Sequence, residues 1–286
     1  KNKLTLATLG DAEKKIEQKK IKAQTKLAAN KNNRIKKRVF VVNFNGDLAA
    51  TEVDNLREEI TAILSIASKR DEVVVRLESS GGMVQNYGLA SSQLDRIRKE
   101  KIKLTVCVDK VAASGGYMMA CVGDKILAAP FAIIGSIGVV AQMPNFNRFL
   151  KKHNVDFELL TAGEHKRTLT MFGKNTEKGR QKFIQELNDI HELFKDYVSN
   201  RRSKIDIDTI ASGEVWFGSK AKDLSLIDEI STSDEYLSEC IRTAKVFEVV
   251  LVKKKTVFQR IGNSVETSMT RIVEKIWSKF TNPSDF

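Results

Sequence analysis

Residues 103–117 read KLTVCVDKVAASGGY, and this stretch decides both the fold class and the candidate site. Lys103 to Asp109 alternates polar and apolar residues like a β-strand, and Gly115-Gly116 then open a helical segment rich in Ala and Met. Ser114 therefore lies at a strand-to-helix turn, where free N–H groups and the helix dipole stabilise a developing negative charge. The position suits a nucleophile, although these residues alone are equally compatible with a simple helix N-cap.

A second turn of the same kind comes earlier in the chain. Glu72 to Glu78 reads EVVVRLE, an apolar strand, and is followed by SSGGM at residues 79–83 and a helical pattern from Val84 to Arg98. Paired glycines after a strand let the backbone approach a ligand closely, as an oxyanion hole built of amides requires. One such turn is common in any α/β protein, but two of them, one carrying a serine, indicate an acyl-transfer site.

These two turns, together with Gly135-Ser136-Ile137-Gly138, resemble the signal-peptide peptidase family of serine proteases, most closely its half-length, SohB-type members. The resemblance covers residues 38–250 and implies an α/β protein of crotonase-like (ClpP-like) fold, with a repeated ββα core and helical extensions. One position departs from the family pattern, because Ser80 stands where the family usually has a proline. The restriction of φ before the glycines is thereby lost.

The resemblance also implies the catalytic residues. The family uses a Ser–Lys dyad whose lysine stands in a Gly-x-x-Lys setting, here residues 163–166, so Ser114 is the expected nucleophile and Lys166 the expected base. A lysine takes the serine proton once burial or a nearby positive charge leaves its amine neutral. The backbone N–H groups expected to form the oxyanion hole belong to Gly81, Gly82 and Gly115. The residues expected to contact the substrate are Met83, Ser136, Ile137 and Gly138.

The three histidines are rival bases, because ClpP-type relatives of this fold use Ser-His-Asp. His153 lies in a Lys-Lys-His-Asn turn and His191 in a charged helix, so both are predicted to be surface residues. His165 is adjacent to Lys166 and points elsewhere if the segment is extended. A lysine base is therefore favoured over a histidine.

The net charge of +12 is concentrated at the N-terminus. Residues 1–38 hold 13 Lys or Arg against three Asp or Glu, so the rest of the chain carries only +2. With no nucleic-acid-binding motif present, a nucleic-acid partner is not expected. We divide the chain into a basic arm or linker (1–37), which anionic lipid would attract, a peptidase domain (38–252) and a C-terminal amphipathic helix (253–286).

Two apolar stretches within the peptidase domain have a structural explanation. Ile126 to Met143 contains no charged residue, but Pro130 and two glycines interrupt it, so it is predicted to be a buried strand-loop-strand and not a membrane span. No transmembrane helix is expected. Asn175 to Arg202 is predicted to be a long helix whose apolar face packs on the core or on another protomer.

We therefore expect a membrane-associated serine endopeptidase that hydrolyses signal-peptide remnants or other unfolded hydrophobic peptides. The family placement implies a homo-oligomer at the bacterial inner membrane, with its catalytic domain in the periplasm, although the basic arm leaves the cytoplasmic face open. The cysteines Cys107, Cys121 and Cys240 have no metal-ligand spacing, and neither a metal nor an organic cofactor is expected. The alternative is a non-catalytic or acyl-CoA-binding protein of the crotonase fold that serves as a membrane scaffold.

Overall fold

The structure is a computed structural model that describes residues 37–163 and 166–252. The predicted C-terminal helix, residues 1–36 of the predicted arm and His165 lie outside the described residues. In chain order the elements are β1 (Arg38–Gly46), α1 (Val53–Leu64), β2 (Glu72–Ser79), α2 (Val84–Lys99), β3 (Lys103–Val108), β4 (Val111–Ala113), α3 (Gly115–Ala120), β5 (Lys125–Ala128), β6 (Ile133–Gly135), α4 (Asn147–Lys152), α5 (Glu177–Ser199), α6 (Ile207–Ile210), β7 (Val215–Phe217), α7 (Gly218–Asp223), β8 (Glu229–Ile230), α8 (Ser233–Thr243) and β9 (Lys245–Glu248).

A parallel sheet in the order β9-β1-β2-β3-β5-β8 carries a branch at its centre. Strand β2 pairs with β1 along its whole length and with β3 up to Arg76, and its last residue, Ser79, pairs with Ala112 of β4. From there β4 continues to β6, and β6 pairs antiparallel with β7. The α/β class is confirmed, and β3-β4-α3 is a strand–strand–helix unit of the expected crotonase-like kind.

Both faces of the central strands are buried, which explains the near-continuous apolar run in β2. Val73, Val75 and Leu77 point into the main core, whereas Val74 belongs to a smaller cluster on the opposite face that α8 covers. Strands buried on both faces lack polar alternation. The uncharged stretch from Ile126 to Met143 contains most of β5 and all of β6, so the predicted pair of buried strands is confirmed. The end of that stretch is exposed, with Val140 at 80%.

A buried carboxylate fastens α8 to the sheet. Glu72 Oε1 accepts hydrogen bonds from Thr105 Oγ1 at 2.6 Å and Tyr236 Oη at 2.5 Å, and the carboxylate is paired with Lys37 and Lys103. Burial alone would raise the pKa of Glu72, but the hydrogen bonds outweigh it and lower the pKa to about 2. The ionised carboxylate is therefore a stabilising group.

The pH dependence of stability should reveal this group. Because the folded-state pKa lies below the ordinary value, the contribution of Glu72, about 3 kcal/mol, is complete above pH ~4.5 and is lost as the pH falls towards ~2. Glu72→Gln should therefore destabilise the protein near pH 6 and match wild type near pH 2 in denaturant unfolding. Glu58→Gln, at an exposed carboxylate, is the matched control. A stability difference that does not change with pH would contradict the assignment.

Candidate active site

Ser114 follows β4 directly and has the backbone angles φ 51° and ψ −119°. A non-glycine residue in this region of φ is strained, typically by ~1–3 kcal/mol, and persists only where the surroundings hold it. Here its N–H donates to the carbonyl of Gly135 at 2.8 Å, and its carbonyl accepts from the N–H of Met118 at 2.9 Å. The side chain makes no capping hydrogen bond. The alternative that Ser114 is only an N-cap is therefore wrong.

The two glycine turns interlock around Ser114. Gly81 has φ +88°, and a Cβ at this position would lie 2.7 Å from both the nitrogen of Gly115 and the Cβ of Ser114. A Cβ on Gly116 would lie 2.4 Å from the carbonyl oxygen of Ser79. Such distances are shorter than real Cβ contacts, so only glycine allows the end of β2 and the start of α3 to meet. The paired glycines thus position the serine.

The candidate oxyanion hole is smaller than the sequence predicts. The N–H of Gly81 donates to Ser79 Oγ at 3.0 Å, so the expectation that it serves the oxyanion is wrong for this amide. Within residues 37–163 and 166–252, the N–H groups of Gly82 and Gly115 have no hydrogen-bond partner, and both residues line the same cavity as Ser114. Two unpaired amides on facing turns are the arrangement that stabilises a tetrahedral oxyanion.

Two cavities meet at Ser114. One has a volume of about 370 Å³ and is mainly apolar. Its walls include Val84, Met118, Ile190, Leu193, Phe194 and Tyr197. The other is a wide cleft of about 1060 Å³. Its lining includes Leu48, Met83, Ser136, Val140, His191 and Gly213. We call them the apolar cavity and the cleft. Their junction at a strained serine suits an extended peptide that places one apolar side chain in the apolar cavity.

The predicted substrate contacts divide into two groups. Met83, Ser136 and Gly138 line the cleft, as a substrate contact requires. Ile137 lines neither cavity, because its side chain is fully buried in the main core. The expected contact between Ile137 and the peptide backbone of a substrate therefore stays a prediction for its main chain only.

Lys166 is not brought into either cavity. It is exposed, and its N–H donates to the carbonyl of Gly163 at 3.2 Å. It belongs to a long, largely exposed segment, described at residues 139–163 and 166–172, in which Leu160 is 90% exposed. Within one chain, therefore, Ser114 lines both cavities, whereas Lys166 lies on the exposed surface outside them.

Helix α5 contributes residues that the sequence analysis assigned elsewhere. The predicted long helix is confirmed at Glu177–Ser199. Its apolar face was expected to pack on the core or on another protomer, but two of its residues, Ile190 and Tyr197, line the apolar cavity. His191, predicted to be a surface residue, is half-buried and lines the cleft. Its Nε2 is buried and has no hydrogen-bond partner in the part of the chain that the structure describes. The apolar face of α5 was the sequence signal for this wall.

The described residues contain neither a metal-binding cluster nor a helix suited to cross a membrane. No group of three or more His, Cys, Asp or Glu side chains is placed to hold a metal ion. None of the helices seen in these residues combines the length and the apolar character needed to cross a bilayer.

Comparison with known proteins identifies the family. The models of peptidase family S49 and of its N-terminal region match residues 96–247 and 1–94, respectively. A probable protease SohB of Haemophilus influenzae is 56% identical over 84% of this chain and 68% of its own length, and one of Buchnera aphidicola (Schizaphis graminum) is 49% identical over 97% and 83%. A solved membrane-bound stomatin-specific protease with a substrate peptide has 14% identity and a TM-score of 0.49, over 80% of this chain and 99% of its own. This chain therefore belongs to peptidase family S49 and is a peptidase.

Proposed function

We propose that this chain is a serine endopeptidase in which Ser114 attacks the peptide carbonyl. The observation that carries the proposal is the strained backbone of Ser114, which presents a hydroxyl without a capping bond at the junction of the cleft and the apolar cavity. In the attack, Oγ bonds to the carbonyl carbon while its proton passes to a base. The N–H groups of Gly82 and Gly115 stabilise the oxyanion, and the base returns the proton to the leaving amine.

We assign the base to Lys166 of a second copy of the chain. Lys166 is exposed and lines neither cavity, so the site of one chain lacks a base at this position. The segment that carries it exposes Val140 and Leu160 at 80% and 90%, apolar surface that a protomer contact would bury. An oligomer in which this segment reaches the neighbouring Ser114 would complete the Ser–Lys dyad.

The substrate class follows from the apolar cavity and the open cleft. An unfolded or hydrophobic peptide, such as a signal-peptide remnant, offers extended backbone to the cleft and an apolar side chain to the cavity. The chain resembles a family of the bacterial inner membrane, and its relatives are bacterial proteins. We therefore propose a location at the inner membrane, with the catalytic domain on the periplasmic side.

A fluorophosphonate probe tests the nucleophile. It should modify the wild-type protein once, at Ser114, as mass spectrometry of the labelled peptide would show, and it should leave Ser114→Ala unmodified. Ser212→Ala is the matched control, because Ser212 also lines the cleft and the variant should label normally. An acyl-CoA-binding protein or a scaffold requires no reactive serine, so absence of label on Ser114 would favour those alternatives.

Gly88 offers a test of the apolar cavity as a specificity pocket. This residue lines the cavity, and a Cβ built on it meets no atom within 4 Å, so a larger side chain enters the cavity without backbone strain. Gly88→Leu should reduce kcat/KM for peptides with leucine at the cleaved position about 10- to 100-fold relative to alanine peptides. Gly88→Ala, the control, should change the ratio little. Equal losses on both peptides would show that the cavity does not select the side chain.

A further inference from the structure

A third cavity of about 580 Å³ shares no lining residue with the apolar cavity or the cleft. It lies between α4, the residues that precede α5 and the first turn of α5. Its lining residues are Asn145, Asn147, Arg148, Lys151, Lys174, Asn175 and Arg180. Four of these seven are cationic and none is acidic, so we call it the basic pocket. Nothing in the peptidase chemistry requires such a concentration of charge.

The asparagines give the basic pocket a fixed frame. Asn145 Nδ2 donates to the carbonyls of Thr170 at 2.8 Å and Gly173 at 3.1 Å, and Asn147 Nδ2 donates to the carbonyl of Phe172 at 2.9 Å. In the segment that precedes α5, Asn175 Oδ1 accepts a hydrogen bond from the N–H of Thr170 at 2.8 Å. The three bonds donated by Asn145 and Asn147 join residues 145–147 to residues 170–173, and the bond to Asn175 fixes the second segment internally. Together they hold the cations of the two segments around one space.

The cations of this pocket are poorly neutralised. Arg148, Lys151 and Lys174 make no ion pair with any residue that the structure describes. Arg180 contacts Glu177 at 3.8 Å, in an exposed pair on the same helix turn whose contribution is small. Like charges held around one cavity repel one another, and a bound anion would relieve that repulsion.

We propose that the basic pocket binds a phosphate group. Two guanidinium groups offer paired N–H donors that match the oxygens of a phosphate, and two ammonium groups add point charges. The group could belong to the head of an anionic lipid or to free phosphate. Phe149, 60% exposed and next to Arg148, favours the lipid, because basic side chains beside an exposed aromatic residue suit the membrane interface. None of the seven lining residues is assigned a part in the peptidase chemistry.

The test compares two variants of the full chain that each remove one arginine and one lysine. Arg148→Gln with Lys174→Gln removes one pocket cation from α4 and one from the segment that precedes α5. Lys69→Gln with Arg70→Gln removes two exposed cations outside the pocket. Binding to vesicles of phosphatidylcholine with 30% phosphatidylglycerol should weaken about 25-fold in the pocket variant, since each cation near an anionic surface contributes about fivefold. The control variant should lose much less.

Titration of the wild-type protein with inorganic phosphate tests the free anion. The NMR signals of the Nε–H groups of Arg148 and Arg180 report its binding.

Each outcome decides the proposal. Selective loss of vesicle binding in the pocket variant supports a lipid head group. Phosphate-dependent shifts at Arg148 and Arg180 without selective vesicle loss support the pocket with free phosphate as its source. Equal losses of vesicle binding in the two variants, without phosphate-dependent signal shifts, would overturn the proposal. They would show a general effect of positive charge, to which the basic residues 1–38 also contribute. Unchanged anion binding combined with an altered oligomeric state of the pocket variant would also overturn it, because its cations would then contact a second copy.

Discussion

Replacing Ser114 with alanine is expected to lower kcat/KM on a hydrophobic fluorogenic peptide by about 10⁴- to 10⁶-fold, because no other group supplies the attacking oxygen. Ser136→Ala is the matched comparison, since Ser136 lines the same cleft and also has a positive φ, of 52°. Loss of a substrate contact there should lower activity far less. Activity of Ser114→Ala above about 1% of wild type would place the nucleophile elsewhere.

The same position should show a conflict between stability and activity. Because Ser114 has φ 51°, glycine at 114 relieves backbone strain that alanine retains. The free energy of unfolding of Ser114→Gly should therefore be about 1 kcal/mol higher than that of Ser114→Ala, while both variants are inactive. Denaturant unfolding of the two proteins measures the difference. If glycine gives no advantage, the backbone strain described for this serine is absent in solution.

Lys166→Ala should reduce activity by at least about 10³-fold, and mixing it with Ser114→Ala should restore part of that activity if the dyad forms between protomers. After co-expression in equal amounts, half of the serines and half of the lysines are intact. Random assembly then pairs them in about a quarter of the sites, for any number of subunits in a ring. The measurement is kcat per chain in the purified mixed oligomer, compared with wild type.

The controls separate this arrangement from its rivals. A mixture of Ser114→Ala with the Ser114→Ala and Lys166→Ala double variant contains no intact serine and should stay inactive. Absence of activity in the complementing mixture would place both residues of the dyad in one chain. Because His191 lines the cleft, His191→Gln is assayed in parallel, as is His165→Ala. An inactive His191→Gln beside an active Lys166→Ala would assign the base to His191.

The sequence was sufficient for strands β2, β3, β5 and β6, for the two glycine turns and for the position of Ser114 at a turn, because these depend on local periodicity and on residues adjacent in the chain. It was insufficient where a bond or a contact links separate segments. The N–H of Gly81 is taken by a side-chain oxygen, Ser79 Oγ, which a backbone pattern does not report. The burial of Ile137 depends on the main core beneath it, and the exposure of His191 to the cleft depends on how α5 is rotated against α3.

The pairing of β9 with β1 has a consequence for synthesis on the ribosome. Val39 lies opposite Val246, so the first strand of the described sheet obtains one of its two neighbours only when the last strand has emerged. Until then the nascent chain displays an unpaired strand edge, the kind of surface through which two chains aggregate. The segment directly before β1 is the most basic of the chain, with a net charge of +9 over residues 1–37. Repulsion between two such segments disfavours edge-to-edge pairing on neighbouring ribosomes.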